Sequence, residues 1–187
     1  MRKTPAFRAQ DVGMIVGDRG YASLLLHNLA KRGEVKRITK GWYTVHDDPV
    51  VTVFAFRPAY IGLQEALSLR GLWEQETNVV LLTALRARTG VRSMMGSTVV
   101  VHRLSSKYVF GFDYVAYGDF ILPVSDLEKT LIDLVYFNEV PGAGVMRKVS
   151  KGVDERKLRS YLRNYPKAVR SRISGGLEPF AIPAGRA

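Results

Sequence analysis

The chain has no cysteine, which excludes disulfides and thiolate metal sites together and fits a reducing cytoplasm, the expected location. Histidine is nearly as scarce. His27, His46 and His102 have neither the spacing nor the neighbours of a zinc site, so no metal and no cofactor are expected. No apolar run approaches the ~20 residues needed to cross a bilayer. Met1-Arg2-Lys3-Thr4-Pro5 is basic, yet the residues that follow lack the apolar core of a signal peptide, and no membrane partner is expected. Acidic residues are also few: 17 Asp and Glu face 28 Lys and Arg across 187 residues, a net charge of +11.

That excess is unevenly placed. Residues 1–50 hold nine basic side chains against five acidic, residues 51–140 eight against nine, and residues 141–187 eleven against three. A neutral middle between basic ends points to two surfaces facing a polyanion, a pattern that solubility alone does not require. The segments divide the chain into an N-terminal domain (1–50), an α+β domain (51–140) and a basic helical tail (141–187).

The N-terminal segment carries the sharpest pattern. Gln10 to Val16 has a short apolar stripe of Val12, Ile15 and Val16, Asp18-Arg19-Gly20 is a turn, and Tyr21 to Arg32 reads as a second helix. At 3.6 residues per turn, Ala22, Leu25, Leu26 and Leu29 form one docking stripe. Gly20, Ser23, Leu24, His27 and Lys31 lie opposite. Val35–Ile38 and Trp42–Val45 are β-prone runs separated by Lys40-Gly41, where glycine can take positive φ. This order predicts a winged helix-turn-helix. Arg19, Tyr21, Ser23, His27 and Lys31 would meet bases or nearby phosphates, the open N-terminus of the helix would approach phosphate, and Lys36, Arg37 and Lys40 would grip the backbone.

The middle predicts an apolar strand or linker from Val50 to Phe56, a helix from Ala59 to about Leu72, and strands at Asn78–Thr83, Ser97–Leu104, Tyr108–Gly111, Asp113–Tyr117 and Asp119–Leu122. Short connections favour a mostly antiparallel sheet. Ser125-Asp126-Leu127-Glu128 reads as a capping box opening a helix with Leu127, Leu131, Leu134 and Val135 inward. Residues 140–144 read as a loop. Asp154 then caps a helix whose stripe is Leu158, Tyr161, Leu162 and Tyr165. The fold class expected is α+β: the winged helix-turn-helix, then a mixed domain with flanking helices.

Three pieces, in this order, resemble the AbiEi family of antitoxins and transcriptional regulators from type IV toxin-antitoxin, or abortive-infection, systems. They are Leu29-Ala30-Lys31-Arg32-Gly33-Glu34-Val35-Lys36-Arg37-Ile38 with Lys40-Gly41-Trp42-Tyr43; Ala59-Tyr60-Ile61 with Ala66-Leu67 and Gly71-Leu72; and residues Glu128 to Tyr136. The resemblance spans about Phe7 to Phe137. It implies a protein that represses its own operon by binding inverted repeats in double-stranded DNA, and that neutralises a nucleotidyltransferase toxin without a stable complex. The stretch before Phe7 is short for a full leading helix, and the tail after Pro166 has no counterpart.

Other motifs carry less. Glu128-Lys129 with Asp133 resembles a nuclease carboxylate cluster, but capping and a surface Lys129/Asp133 pair four residues apart explain it more simply. Met95-Gly96-Ser97-Thr98 resembles the Gly-Ser of nucleotidyltransferases, yet Val99 to Leu104 contains no carboxylate for Mg²⁺, so a turn entering a strand is expected. No catalytic residue is assigned and no enzyme is expected. Arg86, Arg88 and Arg92 in one loop, with Arg156, Lys157, Arg159 and Arg163 in the tail, form a possible secondary nucleic-acid contact. The alternative functions are a nucleic-acid-processing enzyme and an RNA-binding module.

Overall fold

A computed structural model of the chain describes residues 4–174; the first three residues and residues 175–187, with the end of the basic tail, lie outside it. The architecture is α+β. A short strand β1 (Phe7–Arg8) leads into helix α1 (Ala9–Val16), helix α2 (Arg19–Lys31) and a hairpin of β2 (Lys36–Thr39) and β3 (Trp42–Thr44). β3 lies between β1 and β2, making a three-stranded antiparallel sheet. The two-residue β1 has no sequence pattern of its own and exists by pairing Phe7 with Tyr43 and Arg8 with Trp42.

The second sheet has six strands: β4 (Ala59–Ile61), β5 (Val79–Thr83), β6 (Gly90–Met94), β7 (Ser97–Arg103), β8 (Phe112–Tyr117) and β9 (Phe120–Ser125), in the order β6-β7-β5-β4-β9-β8. Three neighbouring pairs are antiparallel, whereas β4 with β9 and β5 with β7 are parallel. Residues 59–61, expected to start a helix, form β4 instead. A three-residue apolar run fits either period, and pairing on both sides decides it. The helix α3 runs only from Leu63 to Leu69. The β6–β7 turn is Met95-Gly96 with both φ positive (54° and 79°), the backbone of a two-residue type I′ hairpin.

Each face of this sheet carries its own core. On one face lies a 3₁₀ segment, Pro49–Phe56, where a strand or linker was expected. Asp48 accepts from the Val50 amide at 2.9 Å, Pro49 suits the first turn, and seven of its eight residues are buried. It packs with Val79, Leu81, Val99 and Val101, and with Ala6, Ile38 and Trp42 of the N-terminal unit. The other face is covered by α3 and by α4 (Leu127–Tyr136), α5 (Ala143–Gly152), α6 (Glu155–Leu162) and α7 (Lys167–Ser174). Both α5, which begins within the expected loop, and α7 place residues in this core: Met146, Val149 and Ile173.

Three local expectations are corrected. Residues 106–108 form a 3₁₀ turn, and residues 109–111 are not a strand. The cap of α4 is Asp126, which accepts from the Lys129 amide at 2.7 Å; Ser125 ends β9 and its hydroxyl pairs with Thr130 at 2.6 Å. On α1, Ile15 is 84% exposed and Met14 74%, because this eight-residue helix docks through Gly13 and half-buried Val12 while no described element covers its outer side.

Candidate nucleic-acid interface

Helix α2 divides cleanly by face. Ala22 and Leu26 are buried, with Leu25 and Leu29 half-buried beside them, whereas Arg19, Tyr21, Ser23, Leu24, His27 and Lys31 are exposed. Asn28 is exposed too; sequence reasoning passed over it because it stands between the two stripes. α1 ends at Gly17, left-handed at φ 77°, and Asp18 is the only other residue before α2. α1 crosses α2 at Gly13: a β-carbon there would lie 3.4 Å from the Arg19 Cγ and 3.9 Å from the Ala22 Cβ.

The start of α2 is not open. The Asp18 carboxylate accepts from the amides of Gly20 at 2.6 Å and Tyr21 at 3.0 Å, so the groups expected to approach phosphate are already occupied by an anion. Arg19 and Tyr21 remain available through their side chains. The Ser23 hydroxyl donates to the Arg19 carbonyl at 3.0 Å, which leaves its oxygen free to accept.

The hairpin is anchored from below and bare at its tip. Ile38 is buried and Trp42 packs beside it against the 3₁₀ segment. Phe7 stacks on Tyr43, and the Thr44 hydroxyl donates to the Pro5 carbonyl at 2.7 Å. Lys40 and Arg37 are exposed, with Gly41 at φ 77° closing the turn. Lys36 differs: its ammonium is 2.9 Å from Asp47. That charge is shared, and the pair is exposed enough to contribute only modestly to stability.

The secondary residues separate into groups. Lys157 is an internal tie: its ammonium lies 3.0 Å from Asp126 and 3.1 Å from Glu128. Burial opposes its charge, but the bonds to the two carboxylates prevail and hold its pKa above the ordinary lysine value. Tyr161 donates to the same Asp126 at 2.8 Å; burial first, and that carboxylate second, push its hydroxyl up to about 12. Arg159 pairs with Glu155 at 2.8 Å, whereas Arg156 and Arg163 are exposed without an ion-pair partner among the described residues. Arg86 and Arg88 precede β6 and are exposed, while Arg92 lies within β6, not in a loop, 5.6 Å over the Phe56 ring.

The expected surface pair on α4 is instead enclosed. Lys129 and Asp133 bond to each other with no solvent exposure, Tyr60 donates to the second Asp133 oxygen at 2.7 Å, and the ammonium lies 5.1 to 5.7 Å from the rings of Tyr60, Phe110 and Tyr165. Burial raises the Asp133 pKa and lowers that of Lys129, each against the pull of its partner. Glu128 is also engaged, accepting from the Asp154 amide at 2.7 Å besides meeting Lys157. The histidines lie apart. His27 is on α2, His46 is 3.7 Å from Asp119, and His102 packs against Phe137 at a tilt of 49° with Glu139 3.1 Å away.

No protein-family model matches the chain, and no curated protein matches it. Among solved structures, the Rv2827c protein from Mycobacterium tuberculosis is similar, with a TM-score of 0.64 over 96% of this chain and 73% of that one. At 13% identity the likeness concerns the fold.

Proposed function

We propose that the chain is a sequence-specific DNA-binding regulator whose N-terminal unit works as a winged helix-turn-helix. The antitoxin role follows from the AbiEi resemblance: repression of its own promoter through inverted repeats, and neutralisation of a nucleotidyltransferase toxin without a stable complex. The observation that carries the DNA reading is the division of α2. Its outer side chains from Arg19 to Lys31 are exposed along the whole helix, and the chain passes directly into a hairpin whose tip, Lys40, is also exposed. A helix that reads a major groove needs such a face, and a basic hairpin beside it can hold the backbone. The enzyme alternative has less support, since Glu128 and Asp133, its candidate carboxylates, are spent on internal bonds.

Binding to the promoter duplex and to a scrambled duplex, titrated at several salt concentrations, tests this. The promoter should bind more tightly. R37Q/K40Q should weaken both complexes and shallow the logarithmic salt slope by about two, at about 0.9 for each phosphate contact. Equal affinity of the unaltered protein for the two duplexes overturns the regulator reading.

A further inference from the structure

The middle segment has no net basic charge, yet the fold concentrates arginine at one end of the six-stranded sheet. β4 begins there and β5 ends there, because Ala59 pairs antiparallel with Thr83. β7 ends beside β5, with Arg103 opposite Thr83. β6 begins beside β7, with Gly90 opposite Val101, so Arg88 enters the sheet next to the end of β7. Arg57 joins them from the 3₁₀ segment: the Thr83 hydroxyl donates to the carbonyl of Phe56 at 2.6 Å and lies 3.2 Å from that of Pro58, on either side of it.

Arg57, Arg92 and Arg103 also share a face. Paired residues on neighbouring strands point the same way. Arg103 is an even number of residues beyond Val99 and Val101, both in the core that holds the 3₁₀ segment; Arg92 stands opposite Val99, inward from that end of the sheet, and joins the others through its guanidinium over the Phe56 ring. Arg92 lies over Phe56 and Arg57 over Phe54, the latter at 4.7 Å. Arg57, Arg86, Arg88 and Arg103 are exposed, and none of the five has an ion-pair partner among the described residues. Asp119, at the same end of the sheet, faces His46 instead.

We propose that Arg57, Arg86, Arg88, Arg92 and Arg103 form a second phosphate-binding surface, which holds the backbone of duplex DNA beyond the stretch met by α2 and the hairpin. The duplex rests on the function proposed above; the surface itself rests on the sheet register. Four adjacent strands span about 14 Å, and that length of duplex carries about eight phosphate charges. Residues 84–92 contain no aromatic side chain, and the Phe54 and Phe56 rings under Arg57 and Arg92 are buried, so these residues offer no open stacking platform of the kind a single strand requires. The N-terminal unit packs on the same side of the sheet, through Ala6, Ile38 and Trp42 against the segment that the arginines border. The proposal places both surfaces on one duplex.

The test uses the full chain, R86Q/R88Q/R103Q and the single variant R103Q, with a 40-base-pair DNA duplex carrying the promoter, the same sequence as duplex RNA, and one DNA strand. Melting temperatures check that the exposed substitutions leave the fold intact, and R103Q is read if the triple variant does not fold. The salt slope on duplex DNA should shallow by about 0.9 for R103Q and about 2.7 for the triple variant. Between 50 and 200 mM salt, the unaltered protein should then lose about 40-fold more affinity than the triple variant. Unchanged slopes overturn the proposal, as does a loss confined to RNA or to the single strand. A ridge-dependent slope without promoter preference overturns the regulator reading and leaves the ridge standing, whereas no binding to any duplex overturns both.

Discussion

Lys129 and Asp133, one helical turn apart on α4, neutralise each other in an interior that holds no other cation within reach of that carboxylate among the described residues. The pair binds α4 to β4 through the Tyr60 hydroxyl, and neither side chain is exposed to solvent. Breaking it strands a charge. K129M should therefore destabilise the fold by about 3–5 kcal/mol, as removal of one partner from a buried ion pair does. K129M/D133N should cost less than the two single changes added together, since asparagine can still accept from Tyr60. Urea unfolding of the four proteins gives the coupling, and simple additivity would contradict the assignment.

Lys157 should act on stability and not on DNA. Replacing it with alanine leaves Asp126 and Glu128, both nearly buried, without their shared cation. The ammonium is partly exposed, so the expected loss is small, about 1 kcal/mol. Affinity and salt slope on duplex DNA should match those of the unaltered protein, and a shallower slope would return Lys157 to the interface.

In the hairpin, the ion pair with Asp47 ranks the lysines. K36A gives up a charge already partly compensated, whereas K40A gives up an exposed one at the tip. K40A should weaken binding more and shallow the slope by about 0.9. Equal effects in a salt titration would show that the Asp47 contact opens when DNA binds.

His102 makes stability depend on acidity. Burial lowers its pKa below the ordinary histidine value, although Glu139 pulls the other way. The folded state thus disfavours the charged ring, and this contribution is fully present above the unfolded pKa of about 6.5. It is lost as pH falls from there toward the folded value, because the unfolded chain binds the proton more readily. Thermal melts between pH 7.5 and 5 should show a falling midpoint, and H102Q should flatten that fall. The same slope in both proteins would assign it elsewhere.

Gly111 should not tolerate a side chain. It sits at φ 69°, and a β-carbon would lie 2.8 Å from the Tyr161 ring and 3.0 Å from the Lys129 Cβ. G111A should cost at least the 1–2 kcal/mol of a left-handed non-glycine residue, and the clash adds to it. A melting temperature unchanged from that of the unaltered protein would contradict this packing.

What the sequence discloses depends on how local the deciding contact is. The two faces of α2 follow from residues three and four apart, and Lys40-Gly41 marks its turn within four residues, so both are legible. Lys129 and Asp133 have the same spacing whether exposed or enclosed; the partner that encloses them, Tyr60, is 73 residues from Asp133. The same holds for Lys157, whose carboxylates lie on another helix. For the arginine ridge, Arg86, Arg88 and Arg92 stand out locally, whereas Arg57 and Arg103 do not. A segment with balanced charge conceals a cationic edge because strand register, which no local period encodes, brings Arg57 and Arg103 together. The cap of α2 was within reach of local reasoning, since Asp18 stands directly before the helix, yet its carboxylate competes with the phosphate that the helix end would attract.

Tyr165 and Ile173, deep in the core on the helical face of the sheet, belong to the most basic stretch of the chain. Severing the polypeptide at residue 140 would thus not detach a cationic arm. It would bare the rings around Lys129, expose an ion pair that is now fully enclosed, and leave an apolar sheet face open to self-association.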